Sequence, residues 1–157
     1  RMSIDIVLVQ PEIPPNTGNV ARSCAVAGSR LHLVGPLGFS IDDRSLKRAG
    51  LDYWPYVNVT VYDDLEEFMI RHSGRRMHLA TTKGSKLYTE AEYRESDMIL
   101  FGRETAGLPK DFIYRNIEKT IRIPMSAETR LRSLNLANSV NIILFEAMRQ
   151  MGFPGLK

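Results

Sequence analysis

Apolar and polar positions follow two rhythms, and the rhythms alternate along the chain. Ile4 to Val9 is an unbroken apolar stretch of strand length. Pro11, Pro14 and Pro15 follow it and are read as barring helix there. Asn16 or Thr17 then caps a helix to about Ala27, with Val20, Ala21, Cys24 and Ala27 at helical spacing on its inner face. Gly28 stops that helix. Leu31 to Val34 is a second strand. Ser40 or Asp42 caps a short helix through Leu46 to Ala49, which Gly50 ends. Val57 to Tyr62 is a third strand, and Asp63 and Asp64 open a helix to about His72. Further strands fall at Met77 to Thr81, Met98 to Phe101 and Thr120 to Ile123. Pro109 to Tyr114 fits one or two helical turns, and Asn135 to Met151 is the last and longest helix.

Strands alternating with helices predict an α/β fold, a mainly parallel sheet with helices on both faces. The expected domain is a single one over residues 2–157. Ligands of such sheets sit at the carboxyl ends of the strands, here the loops after Val9, Thr81, Gly102 and Ile123.

Composition narrows the classes. Of 157 residues, 43% are hydrophobic and 25% charged, which excludes a disordered chain, a collagen-like repeat and a coiled coil. No apolar run approaches the ~20 residues of a membrane-spanning helix, so no membrane association is expected. Cys24, the single cysteine, can form no internal disulfide. With no signal-peptide order at the start, a cytoplasmic location is expected. The net charge of +3 permits a nucleic-acid partner without requiring one.

Several chemistries drop out. There is no G-x-G dinucleotide fingerprint, no phosphate-binding P-loop and no G-x-S-x-G elbow. His32, His72 and His78 lie far apart without H-E-x-x-H, so no metal is expected. Three stretches remain. Pro14-Pro15-Asn16-Thr17-Gly18-Asn19-Val20-Ala21-Arg22 is a stiff lead-in to a helix whose outer face carries Asn19, Arg22 and Val26. Leu100-Phe101-Gly102-Arg103-Glu104-Thr105-Ala106-Gly107-Leu108-Pro109 is a glycine-bearing strand end, where backbone can approach a ligand. Ile121-Arg122-Ile123-Pro124-Met125 leads through a polar loop to Arg132-Ser133-Leu134-Asn135, where Ser133 or Asn135 can cap the last helix. Asn138, Ser139 and Asn141 then lie inside that helix, where propensity disfavours them. Polar residues retained at that cost point to a site or an interface.

In order and placement, these three stretches resemble motifs one, two and three of the SPOUT class of RNA methyltransferases. Pro11 to Asn19 and Lys47-Arg48-Ala49-Gly50-Leu51-Asp52-Tyr53 make the chain most similar to members that methylate the ribose 2′-hydroxyl of the wobble nucleotide, position 34, of tRNA. Periodicity alone gives an ordinary open sheet; the resemblance implies a C-terminal trefoil knot. It also implies S-adenosylmethionine (AdoMet) as cofactor, with Ala80, Gly102, Ile123 and Ser133 in the pocket and Thr81, Met125 and Leu134 beside them. Catalytic roles fall on Arg22, Glu104 and Asn16. The expected substrate is the anticodon loop of tRNA, with cytidine or a modified uridine at position 34 and leucine isoacceptors foremost. A related 2′-O-methyltransferase acting elsewhere on tRNA or rRNA, or a non-catalytic RNA-binding module, are the alternatives. Two departures stand out: Arg103 where the class carries a small residue or proline, and a long loop through 126–130.

Because arginine side chains stay protonated, Arg22 suits a cation for phosphate and developing alkoxide better than a base. The proton has Glu104, a phosphate oxygen or water as acceptors. Arg44, Lys47, Arg48, Arg130 and Arg132 are the expected phosphate contacts, and Tyr53 and Trp54 could stack an unpaired base. A homodimer through the first and last helices is expected, because Ile142 and Phe145 lie off the apolar stripe of Leu136, Val140, Ile143, Leu144, Ala147 and Met151. Pairing there would share each active site between two chains.

Overall fold

The computed structural model describes residues 3–50 and 52–157. Leu51, one residue of the quoted resemblance, and Met2, the expected start of the domain, lie outside the described residues. The strands are β1 (Asp5–Val9), β2 (Arg30–Val34), β3 (Val59–Tyr62), β4 (Met77–Ala80), β5 (Lys86–Leu87), β6 (Met98–Phe101) and β7 (Thr120–Arg122). The helices are α1 (Pro14–Ala27), α2 (Arg44–Gly50), α3 (Leu65–Arg71), α4 (Lys110–Arg115) and α5 (Leu136–Gln150). The strands form one sheet in the order β3-β2-β1-β6-β4-β7-β5, and every named pair is parallel. Chain direction across the sheet reverses at β1, so β1 and β6 flank a switch point where loops diverge and leave a crevice.

Both sheet faces are covered, which is why the central strands are apolar without alternation. Ile6 and Leu8 of β1 face α1 and α5, joined by Val20, Cys24, Val140 and Leu144. Val7 and Val9 point the other way, toward Phe68 of α3 and Phe112 of α4. Each such side chain contributes about 1.5–3 kcal/mol on full burial.

Three expectations are corrected. First, α1 begins at Pro14, not after Asn16 or Thr17, and Ile13 flanks it without a side-chain cap. Two prolines fit a first helical turn because their missing N–H groups would have had no helical partner there. Asn16 is thereby released from capping. Second, the cap of α2 is neither Ser40 nor Asp42: Asp43 accepts from the Ser45 N–H at 2.8 Å. Third, β5 is an additional strand of two residues, too short to show a period, paired to β7.

Glycine decides one helix crossing. A Cβ on Gly18 would lie 2.5 Å from the Leu46 carbonyl oxygen, and one on Gly50 2.7 Å from the Gly18 carbonyl oxygen. Only bare backbone lets the end of α2 sit this close to α1.

Beneath the second face runs a polar chain. His32 Nε2 lies 2.9 Å from Asp5 Oδ2, and His32 Nδ1 lies 2.7 Å from the Tyr62 hydroxyl. The Tyr62 hydroxyl lies in turn 2.8 Å from His72 Nε2. Burial holds the His72 pKa below its ordinary value, and His32, Arg75 and Arg71 push it the same way against Asp5. The unfolded chain therefore takes up this proton more readily than the folded one. Stability is full above the ordinary value of 6.5 and falls as pH drops below it. In urea titrations, unfolding free energy should decline as pH falls through and below about 6.5, and His72→Gln, which can still hydrogen-bond Tyr62, should flatten the decline.

Candidate active site

Four neighbouring strand ends, those of β1, β6, β4 and β7, open into one cavity of about 530 Å³. Ala80, Gly102, Ile123 and Ser133 all line it, and so do Thr81, Met125 and Leu134. Its floor is apolar, from Phe101, Ile121 and Ile143, and its rim is polar, from Thr82, Asn135 and Ser139. The loop after β6 folds back on itself: Gly107 N–H donates to the Arg103 carbonyl at 2.8 Å with a positive φ of 72°. A Cβ on Gly102 would fall 1.9 Å from the Gly107 carbonyl carbon, so no other residue fits this strand end.

A reciprocal clasp joins this loop to the one after β1. Glu104 Oε1 accepts from the Glu12 N–H at 2.9 Å, and Oε2 accepts from the Ile13 N–H at 2.9 Å and from Asn16 Nδ2 at 3.1 Å. In return, Glu12 Oε1 accepts from the Thr105 N–H at 3.0 Å and the Thr105 hydroxyl at 2.8 Å. Those two bonds hold the Glu12 carboxyl below the usual carboxylate range, and the charge of Arg103 adds to the effect. Asn16 Oδ1 accepts from Asn135 Nδ2 at 3.0 Å, while Asn135 Oδ1 caps α5 by accepting from the N–H groups of Ala137 and Asn138. One hydrogen-bonded path thus links all three sequence stretches. Both oxygens of Glu104 face N–H donors, which makes this carboxylate a tie between the two loops.

Arg22 stands apart from Asn16 and Glu104. It lies on the exposed side of α1 and lines a second concavity, about 590 Å³, between α1 and α5. Asn19, Asn138, Asn141 and Phe145 share that concavity, and Asn135 belongs to both walls. The guanidinium of Arg22 lies over the Tyr53 ring, 4.6 Å from its centroid, and Nη2 donates to the Tyr53 hydroxyl at 3.4 Å.

The expected RNA contacts are scattered in state. Arg44, Lys47 and Arg48 are exposed on α2, with Lys47 3.5 Å from Asp42. Arg130 pairs with Glu128 at 3.2 Å. Arg132 lines the first cavity and donates to the Ala127 carbonyl at 3.2 Å. Trp54 is half-buried against the core on the α1 face, a packing role rather than an open stacking platform. Sequence reasoning missed Glu12 and Thr105 and gave Asn135 only a cap. Each works through a partner about 90 or more residues away, which no local pattern announces. Among the described residues, no group of three or more His, Cys, Asp or Glu side chains could hold a metal ion, and no helix is long and apolar enough to cross a membrane.

A parallel sheet whose adjacent strand ends carry these three linked loops around a cavity defines a SPOUT-class methyltransferase fold. The chain belongs to the SpoU rRNA Methylase family, which it matches over residues 3–145. It is 51% identical over 152 residues to the tRNA (cytidine(34)-2′-O)-methyltransferase of Methylovorus glucosotrophus (strain SIP3-4), spanning 96% of this chain and 97% of that one. A solved structure described as giving insights into the 2-OH methylation of C/U34 on tRNA superposes with a TM-score of 0.89 at 43% identity, covering 97% of this chain and 92% of the other. The AdoMet-bound rRNA methyltransferase of Sinorhizobium meliloti superposes with a TM-score of 0.84 at 27% identity, covering 96% of this chain and 58% of that one.

The clasp makes a direct prediction. Glu104→Gln keeps the shape but turns one acceptor into an NH₂ group facing N–H donors, at a cost of about 1–3 kcal/mol per group left unsatisfied. The variant should unfold at lower temperature and bind cofactor more weakly, as read by thermal denaturation and calorimetric titration.

Proposed function

We propose that this protein transfers a methyl group from AdoMet to the ribose 2′-hydroxyl of the wobble nucleotide, cytidine or modified uridine at position 34, in tRNA. The observation that carries this reading is the single hydrogen-bonded frame, Glu12–Glu104–Asn16–Asn135, around a cavity at the strand ends. Similarity over nearly the whole chain to a relative named for that reaction supports the choice of nucleotide.

The cavity fits the cofactor. Its walls offer backbone groups at Ala80, Gly102 and Ile123 and small side chains at Ser133 and Ser139, around an apolar floor. Backbone donors and acceptors can read the polar edge of an adenine while apolar side chains cover its faces. When bound, AdoMet supplies an electrophilic methyl group. The protein's part is alignment, since proximity and orientation can lower a barrier by up to roughly 7–11 kcal/mol. Glu104 and Glu12 hold the two loops that set that alignment. Arg22 supplies positive charge for a substrate phosphate and for the alkoxide that develops as the hydroxyl loses its proton to phosphate or water. Arg44, Lys47, Arg48 and Arg132 give sequence-independent contacts to the RNA backbone.

Arg22 faces the α1–α5 concavity rather than the cofactor cavity of its own chain. A homodimer that pairs α1 and α5 of two chains would bring it to the partner's cavity. Ile142 and Phe145, 36% and 37% exposed, and Val26, 52% exposed, form the apolar part of this surface. The trefoil threading of the C-terminal segment, a single domain and a cytoplasmic location belong to the same reading. Burial pushes the thiol of Cys24 up, so this cysteine stays an unreactive core side chain.

Radiolabelled AdoMet and tRNA with a defined wobble nucleotide test the function, with the label mapped by resistance of the modified linkage to alkali. Label confined to position 34 is expected; label elsewhere in tRNA or in rRNA would overturn the assignment of the nucleotide, and cofactor binding without transfer would overturn the enzyme reading. Arg22→Ala should lower kcat by about 100-fold or more while cofactor Kd stays within about threefold.

The shared site has its own test. Ile142→Glu combined with Phe145→Glu should yield a folded monomer, seen by sedimentation, that binds cofactor and does not methylate. A dimer that survives both charges would place the interface elsewhere.

A further inference from the structure

An exposed arginine on a helix surface has many rotamers, and holding one of them needs a partner. The usual partner is a carboxylate, which holds the guanidinium but neutralises its field. Among the described residues no carboxylate pairs with Arg22; its contacts are the face of the Tyr53 ring at 4.6 Å and the Tyr53 hydroxyl at 3.4 Å. A ring face attracts a cation through its quadrupole and leaves the net charge intact.

The ring is placed by backbone. Tyr53 N–H donates to the Gly50 carbonyl at 3.0 Å, and Tyr53 accepts from the Tyr56 N–H at 2.9 Å. Trp54, the next residue, packs on the core. Gly50 itself rests on Gly18 in the glycine-to-glycine crossing of α2 on α1. Gly18 lies four residues before Arg22, so the two share one side of α1, a turn apart. The same register that seats Gly50 on Gly18 therefore seats Tyr53 beside Arg22. Tyr53 does not line the α1–α5 concavity, whereas Arg22 does. The cation is backed by the ring and open toward the concavity.

We infer that Tyr53 is a positioning residue of the methyl-transfer reaction, holding the Arg22 guanidinium by its ring face so that the full charge is presented to the α1–α5 concavity. This rests on the methyltransferase reading above. It gives the ring face that Arg22 covers a role other than stacking an RNA base.

The test compares Tyr53→Ala with Tyr53→Phe in the full-length protein. Tyr53→Ala should lower kcat by about tenfold, with the KM for tRNA and the Kd for AdoMet within about twofold of the parent. Tyr53→Phe keeps the ring and should restore kcat to within about twofold. An Ala variant with parental kcat overturns the inference. So does a loss that appears in the KM for tRNA at unchanged kcat, the signature of base stacking. A Phe variant as slow as Ala overturns it too, since the hydroxyl would then be the holding group. Nitrogen–proton spectra of Arg22 give a readout independent of transfer: the ring-current shift of its Nε–H signal should vanish in Tyr53→Ala and persist in Tyr53→Phe. If the parent protein does not methylate tRNA, the methyltransferase reading fails by itself; a shift unchanged in Tyr53→Ala fails the contact by itself.

Discussion

One carboxylate organises the site. Glu104 sits on the loop after β6 and collects three N–H bonds from the loop after β1 and the first turn of α1. Two of those donors are backbone amides of Glu12 and Ile13, which lie outside any strand ladder and just before a helix that begins with two prolines. Without Glu104 they would turn to water or go unmet, and the two loops would lose their fixed distance. A charged acceptor makes such bonds stronger than a neutral one. The reciprocal pair from Thr105 to Glu12 doubles the tie, so neither loop can shift without breaking bonds on both sides. Asn16 passes the constraint to Asn135, and through that cap to α5.

This explains why the first turn of α1 is built as it is. A helix opened by Ser or Asp would spend its side chain on its own amides. Pro14 and Pro15 start the helix with fewer amides to satisfy, and Asn16 can bridge sideways to two other elements. Stiffness is gained together with availability, since proline also fixes φ and with it the direction in which α1 leaves β1.

Much of this architecture was readable from the sequence, and what was not has physical reasons. Among the described residues, six of seven strands and all five α-helices have periods or apolar runs long enough to show. A two-residue strand has no period, so β5 was invisible. The start of α1 precedes the polar positions that predict a cap, because proline is permitted in a first helical turn. Asn138, Ser139 and Asn141, disfavoured inside α5, face the two concavities: Ser139 lines one, and Asn138 and Asn141 line the other. Ala80 and Ile123 have no chemical signature, and both line the cavity; a wall that acts through backbone would leave its side chains free to be ordinary. The Glu12–Thr105 pair is a tertiary fact that only the folded chain exhibits.

The two concavities differ in charge. The strand-end cavity sets Arg103, Arg132 and the carboxylate of Glu104 among small hydroxyls and apolar side chains. In the α1–α5 concavity Arg22 stands with Asn19, Asn135, Asn138 and Asn141 and, among the described residues that line it, with no carboxylate. An unneutralised cation in a polar setting is what a phosphate or a developing alkoxide requires. On the reading proposed above, cofactor and cation lie on two faces of one chain, and an α1–α5 pairing of two chains, with Phe145 and Ile142 exposed beside the asparagines, would bring them together.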